Sequence, residues 1–210
     1  ERREVVGGAA VTEEIAKGIK ASTGSYVFSL FRPKIIRDLE LEKHGLKVVV
    51  KDPALYLPLG KGRGVTVWTD ARKTAKEFER FSKRDAEAYL KFVEFLEEFS
   101  LVADIIMLSP PPSVEELLSA LKSMGVDRDK LAEVERLLLM DGYTLLTEWF
   151  ESDEVRAALA EDAVVGTGQP ITAPGTAYVF LHHNIGEVNG VKGAWGYVIG
   201  GMGAVSDAIR

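Results

Sequence analysis

The sequence contains no cysteine, and its 210 residues include only 3 histidines. The absence of thiols excludes a disulfide framework, zinc–thiolate and iron–sulfur sites, and a cysteine nucleophile. A Gly-x-Ser-x-Gly motif is absent as well, so no serine triad can be nominated. Apolar runs are short compared with the about 20 residues that span a bilayer. Redox chemistry by this chain would therefore require a bound cofactor.

Positive charge is in deficit: 26 Lys and Arg stand against 32 Asp and Glu, a net charge of −6. Phosphate binding needs clustered positive charge, so we expect no nucleic-acid partner. With 46% hydrophobic and 28% charged residues, the chain can form an apolar core rather than a disordered polyelectrolyte. Its length suits one large domain or two small ones.

The adjacent pair His182-His183 is the one cluster of imidazoles. Neighbouring side chains point in different directions on a helix or a strand, and no third ligand has suitable spacing, so we expect no metal site.

The local patterns change along the chain from glycine-rich to β, then to helical, and back to glycine-rich. Three short β-branched or alternating stretches at 46–50, 55–59 and 65–68 predict one small antiparallel sheet. A helix is predicted from Pro33, with Gly45 as its stop. From Asp70 onward the apolar period is about 3.6, and helix N-caps are predicted at Ser82, Ser113 and Ser152. The fold class is therefore α+β with a helical middle.

Mostly aromatic residues recur at helical spacing in this middle section. Ordinary core packing is the favoured interpretation, and a channel wall or membrane-facing surface for a long apolar substrate is the alternative. The residues are Phe78, Phe81, Tyr89, Phe92, Phe95, Leu96 and Phe99.

The opening segment from Glu1 and Arg2 to Gly7, Gly8 and Ala9 resembles the stretch after the second strand of the dinucleotide-binding fold in flavoproteins of the phytoene desaturase and amine oxidase superfamily. A carboxylate can accept hydrogen bonds from both ribose hydroxyls, and glycines let backbone N–H groups approach phosphate oxygens closely.

The closing segment, from Trp195 and Tyr197 through Gly200, Gly201 and Met202, is similar to the family's aromatic strand that passes the flavin and turns into a helix. Further matches in the same order cover nearly the whole chain. Together they resemble the phytoene dehydrogenase-related FAD oxidoreductases.

The resemblance implies a substrate-domain type of fold: a small antiparallel or mixed sheet with a helical middle, flanked by incomplete edges of a FAD-binding Rossmann-like domain. Residues 1–22 would be a remnant of the FAD-binding domain, 23–200 the substrate domain, and 201–210 the start of the return helix. The family's G-x-G-x-x-G fingerprint is absent from the sequence, and the chain starts with Glu rather than Met. We therefore expect an interior fragment that is inactive alone and binds FAD weakly, within a FAD-dependent parent oxidoreductase.

The resemblance also assigns roles to residues at the two ends. Cofactor contacts are expected from Glu1, Arg2, Gly7, Gly8, Ala9, Gly200 and Gly201. Substrate-lining residues are expected to be Trp195, Tyr197, His182 and Met202. For Trp195 and Tyr197, core packing is an equally good interpretation, and no catalytic residue is assigned.

The expected substrate is a small apolar or amine molecule, and a long apolar molecule is one form of this expectation. Contact with a membrane surface is a further expectation. Two other classes of function stay open, a non-catalytic interaction module and an isoprenoid- or lipid-binding domain. The expected compartment is the cytoplasm, or the mitochondrion for a eukaryotic source. The oligomeric state is left open.

Overall fold

The computed structural model of the chain describes residues 2–108, 110, 113–123, 125–126 and 128–210. These residues form a mixed α+β structure in which the strands pair in antiparallel twos. The strands are β1 (Thr12–Ala16), β2 (Ile19–Ser22), β3 (Val48–Val50), β4 (Leu55–Gly60), β5 (Arg63–Val67), β6 (Glu187–Val188), β7 (Val191–Lys192) and β8 (Gly196–Val198).

Helices dominate the middle of the chain, as the apolar period predicts. They are α1 (Pro33–Asp38), α2 (Ala71–Phe78), α3 (Lys83–Met107), α4 (Val114–Ser123), α5 (Arg128–Leu139), α6 (Gly142–Trp149), α7 (Asp153–Leu159), α8 (Glu161–Val164), α9 (Thr176–His183) and α10 (Gly203–Ile209). A short 3₁₀ turn at Gly8–Ala10 precedes β1.

The chain divides into two compact units. The terminal unit comprises Glu1–Asp52 and Gly186–Arg210, and the central unit comprises Pro53–Ile185. The division at residues 22 and 200 that the resemblance implies stays a prediction.

The core of the terminal unit lies under the β3–β8 ladder, in which Val48 is opposite Val198 and Val49 is opposite Tyr197. Alternation along a strand sends neighbouring side chains to opposite faces. Val198 accordingly packs in the core while Tyr197 is exposed. The other main core residues are Phe28, Leu41, Leu46, Val188, Met202 and Val205.

The core of the central unit is built on the aromatic stripe. Phe92 is completely buried, and its ring centroid lies 5.3 Å from that of Phe150 and 5.5 Å from that of Phe180. Phe78 is also fully buried, with Tyr89 packed edge-on at 4.9 Å. The prediction of ordinary core packing is confirmed for this stripe.

Two predictions about local structure are wrong. The three strands do not form one sheet, because β4 pairs with β5 whereas β3 pairs with the distant β8. The helix that begins at Pro33 ends at Asp38 instead of reaching Gly45. Glu40 adopts a left-handed conformation with φ 49°, which is incompatible with a continued α-helix.

The predicted helix caps are confirmed. The backbone N–H of Glu116 donates to Ser113 Oγ at 3.2 Å, and the N–H of Ser113 donates to Glu116 Oε2 at 2.8 Å, which is a capping box. Ser152 Oγ accepts from the N–H of Val155, and Ser82 Oγ accepts from that of Asp85.

Among the residues that the structure describes, no helix combines the length and the apolar character needed to cross a bilayer. Nor do three His, Asp or Glu side chains within these described ranges gather as a metal site would require.

Candidate functional site

The two glycine-rich ends of the sequence meet in the terminal unit, where the β1–β2 hairpin packs on the start of α10. Thr12 and Ser22 are opposite each other in the hairpin. The N–H of Gly203 donates to Thr12 Oγ1 at 2.8 Å, and the N–H of Met202 donates to Ser22 Oγ at 3.0 Å. We call this assembly, with Gly7, Gly8, Gly200 and Gly201, the glycine junction.

The N-terminus of α10 has its hydrogen bonds satisfied within the protein. Free backbone N–H groups at a helix start are what attract an anion. Here Thr12 and Ser22 take two of these donors, and the next two, of Ala204 and Val205, donate to the carbonyls of Gly201 and Met202. Because these four N–H groups already have acceptors in the protein, free backbone donors are not the evidence for a cofactor at this helix start.

The four predicted cofactor-contacting glycines fall into two classes. A Cβ on Gly7 would lie 2.8 Å from Ser206 Oγ, and one on Gly201 would lie 2.8 Å from Thr12 Cγ2. In contrast, a Cβ on Gly8 would meet no atom within 4 Å, and one on Gly200 would meet only the Ala204 methyl at 3.8 Å. The absence of a side chain thus serves internal packing at Gly7 and Gly201, and it leaves open space at Gly8 and Gly200.

The remaining predicted cofactor residues are Glu1, Arg2 and Ala9. Arg2 and Ala9 are exposed. The carbonyl of Ala9 accepts a hydrogen bond from the N–H of Ser25 at 2.7 Å, which fixes the 3₁₀ turn against the segment after β2. Glu1, the predicted ribose ligand, lies outside the described residues.

The aromatic strand presents an apolar outer face. Tyr197 is 44% exposed and its cross-strand partner Val49 is 46% exposed. Trp195, half-buried, and Ile199, exposed, share the face of Tyr197 by alternation. Of the two equally good interpretations of Tyr197, core packing is therefore wrong. This face is available to contact a ligand.

Met202 belongs to the core of the terminal unit. Its side chain is buried among the residues under β8. Met202 lies just before α10 and fills this core, and its expected role as a substrate-lining residue stays a prediction.

His182 lies in the central unit, on α9, and its ring centroid is 6.0 Å from that of Tyr178. Burial, and secondarily the neighbouring His183, lower the pKa of His182, which favours a neutral imidazole. His183 Nδ1 lies 2.7 Å from the backbone carbonyl of Asp162. A carbonyl only accepts, so this nitrogen carries the proton and His183 has a structural role.

Sequence reasoning missed Thr12, Ser22 and Val49. Thr12 and Ser22 are the same number of sequence positions from Lys17, in a strand–turn–strand pattern that favours cross-strand pairing. Nothing local in the sequence shows that this pair caps a helix at the other end of the chain. The pairing of Val49 with Tyr197 is equally non-local.

Comparison with known proteins found relatives that align with the whole chain, although no family model matches it. It is 41% identical over 231 aligned residues to pyridine nucleotide-disulfide oxidoreductase domain-containing protein 2 of Rattus norvegicus, covering 100% of this chain and 40% of that protein. The mouse protein of the same name is 40% identical over 234 residues, with the same coverage.

A more distant relative is one of the limonene dehydrogenase subunits of Castellaniella defragrans. It is 29% identical over 164 residues, which cover 76% of this chain and 29% of that protein. The rat and mouse proteins are the branch to which the resemblance points, and the recognition of that branch is confirmed. The chain spans about two fifths of the length of these two relatives.

Proposed function

We propose, from the homology of the whole chain to one part of the pyridine nucleotide-disulfide oxidoreductase domain proteins of rat and mouse, that it forms part of a FAD-dependent oxidoreductase of the dehydrogenase or desaturase type. The name of the more distant relative, a limonene dehydrogenase subunit, supports dehydrogenation of an apolar small molecule. The chain alone, without the rest of the parent, is expected to be inactive.

The observation that carries the proposal is the match of the whole chain to the rat and mouse proteins, and the open space at Gly8 and Gly200 is compatible with it. Both glycines have positive φ, 53° and 90°, and neither is packed against the protein where a side chain would stand. Backbone free of side chains can approach a phosphate or a planar ring closely. Gly8 and Gly200 leave room for a bound dinucleotide, and at Gly7 and Gly201 the missing side chain also serves the protein's own packing.

Arg2 and Ala9 would lie beside the same group, Arg2 as an exposed cation next to a diphosphate. When bound, FAD supplies an acceptor for a hydride taken from a saturated carbon. No side chain of this chain is assigned as a base.

The outer face of the β3–β8 ladder would provide the substrate contacts. Val49, Tyr197 and Ile199 present exposed hydrocarbon and aromatic surface. Lys47 and Lys51 flank it, since alternation puts them on the face of Val49. Such a face orients an apolar substrate and excludes water from it. The role of His182 as a substrate-lining residue stays a separate prediction from the resemblance, with a neutral ring favoured by its lowered pKa.

The test is the visible flavin absorbance of the full-length parent protein, with Gly200→Val as the variant. We expect the parent to bind FAD and the variant to lose most of it. Gly62→Val is the matched control, since Gly62 also has positive φ (72°) and nothing within 4 Å of a Cβ, but lies in the β4–β5 turn. A folded parent that stays colourless with added FAD would overturn the proposal in favour of an interaction module or an isoprenoid-binding domain.

A further inference from the structure

A cavity of about 360 Å³ lies in the terminal unit, away from the glycine junction. Its floor is apolar, formed by Phe28, Ile36, Leu46 and Val48, of which Phe28 and Leu46 are buried core residues. This volume is within the range of about 300–1,000 Å³ that is usual for small-molecule sites. The floor suits a compact hydrocarbon group.

The rim of the cavity carries more carboxylates than cationic side chains. Glu40 and Lys43 form an ion pair with each other. Arg37, Glu42 and Glu187 have no side-chain ion pair or hydrogen bond with another residue of the described part of the chain. One cation and two carboxylates therefore remain, and this balance disfavours an anionic ligand and favours a cationic one.

Glu187 is the carboxylate best placed to select such a ligand. It lies on β6 at the cavity wall and is half-buried, while Arg37 and Glu42 are exposed. Lys192 is opposite Glu187 in the β6–β7 hairpin but does not line the cavity. A half-buried carboxylate beside an apolar floor gains most from a cation that enters the cavity.

The cavity is separate from the proposed substrate face. Val48 lines it, and the next residue, Val49, belongs with Tyr197 on the opposite face of the ladder. No residue of the glycine junction lines it.

We propose that this cavity binds a small organic ammonium ion, with its hydrocarbon group on the floor of Phe28, Ile36, Leu46 and Val48 and its ammonium group hydrogen-bonded to the Glu187 carboxylate. The proposal does not depend on the oxidoreductase activity, since neither flavin nor substrate enters the argument.

The test is an NMR titration of the whole 210-residue chain with 2-phenylethylammonium, and with 3-phenylpropionate and 2-phenylethanol as probes of similar shape. We expect the ammonium probe to shift the amide signals of Val188 and Asn189 and to bind at least about tenfold more tightly than either comparator. Equal binding of the three probes, or no binding of the ammonium probe at millimolar concentration, would refute the proposal.

Two variants separate charge from shape. Glu187→Gln is expected to weaken the ammonium probe about tenfold, and Ile36→Trp, which fills the cavity, to abolish binding. Asp207→Asn is the control, because Asp207 is an exposed carboxylate of the same unit that does not line the cavity. Unchanged binding in Ile36→Trp, or an equal loss in Asp207→Asn, would show that the ligand binds elsewhere.

Discussion

The carboxylate of Asp85, fully buried at the start of α3, accepts a hydrogen bond from the backbone N–H of Ser152 at 2.8 Å. The N–H of Glu151 donates to both oxygens of the same carboxylate, at 3.0 and 3.2 Å. One buried anion thus holds the segment between α6 and α7, whose N–H groups would otherwise be unsatisfied in the core.

Asp85→Asn is expected to destabilise the chain by about 2–4 kcal/mol, because the amide retains one acceptor oxygen and directs donors at backbone donors. The free energy of unfolding in urea measures this. Asp153→Asn is the control, since the Asp153 side chain is 91% exposed in its pairing with Arg156, and it should change stability by less than about 1 kcal/mol. Equal effects of the two substitutions would contradict a structural role for the buried carboxylate.

Gly200→Ala and Gly201→Ala are expected to differ in stability although the two glycines have similar φ, 90° and 86°. Both variants pay the cost of a side chain at positive φ, about 1 kcal/mol. Only the alanine at position 201 also meets the Thr12 side chain. The thermal unfolding midpoint should therefore fall further for Gly201→Ala.

A Thr12→Ala background supplies the second measurement for this pair of glycines. Removing Thr12 Oγ1 and Cγ2, the two atoms nearest to a Cβ at position 201, should restore part of the additional loss in Gly201→Ala and leave the loss in Gly200→Ala unchanged. If Gly200→Ala proved the more damaging variant, the assignment of open space at Gly200 would be wrong.

Stability should fall at high pH through Tyr89. Burial, only partly offset by a hydrogen bond with Thr74, raises the pKa of Tyr89 to about 12. The unfolded phenol loses its proton near pH 10, roughly the ordinary value. The neutral phenol's contribution is thus fully present below about pH 10 and is lost as the pH rises toward about 12.

Urea unfolding at increasing pH measures this loss, and tyrosinate absorbance follows the titration. In Tyr89→Phe the part of the decline due to this residue should disappear. Tyr143→Phe serves for comparison, because Tyr143 is exposed and its removal should leave the alkaline decline unchanged. A decline that is the same in wild type and Tyr89→Phe would count against the shift.

Phe92→Ala and Tyr197→Ala test the difference between a core aromatic residue and a surface one. Phe92 is completely buried among Trp149, Phe150 and Phe180, so its truncation should cost about 3–5 kcal/mol. Tyr197 loses only cross-strand contact with Val49, so we expect about 1 kcal/mol or less. A large loss in Tyr197→Ala would show that its outer face is covered within this chain.

The features predicted correctly from the sequence are those that depend on neighbouring residues. The capping box of Ser113 and Glu116 spans a single helical turn, and the aromatic stripe around Phe92 follows from a period of about 3.6. The interpretation of the stripe as core needed only the apolar character of its members.

The features that escaped prediction join distant segments. No local pattern encodes the β3–β8 pairing or the capping of α10 by Thr12 and Ser22. The same holds for the hydrogen bond from the Ser152 N–H to the Asp85 carboxylate. The candidate site shows the same limit: the resemblance indicated all four glycines, but only packing separates Gly8 and Gly200 from Gly7 and Gly201.

The division of the chain into a discontinuous terminal unit and a continuous central unit has a consequence for its biosynthesis. Strand β3 leaves the ribosome early, but its partner β8 follows only after all of the central unit. Chains grow at about 5–20 residues per second, so β3 waits several seconds, unpaired, while the central unit can already fold. We therefore expect the central unit to fold first during translation, and chaperones to contact the apolar residues 46–50 in nascent chains that lack β8.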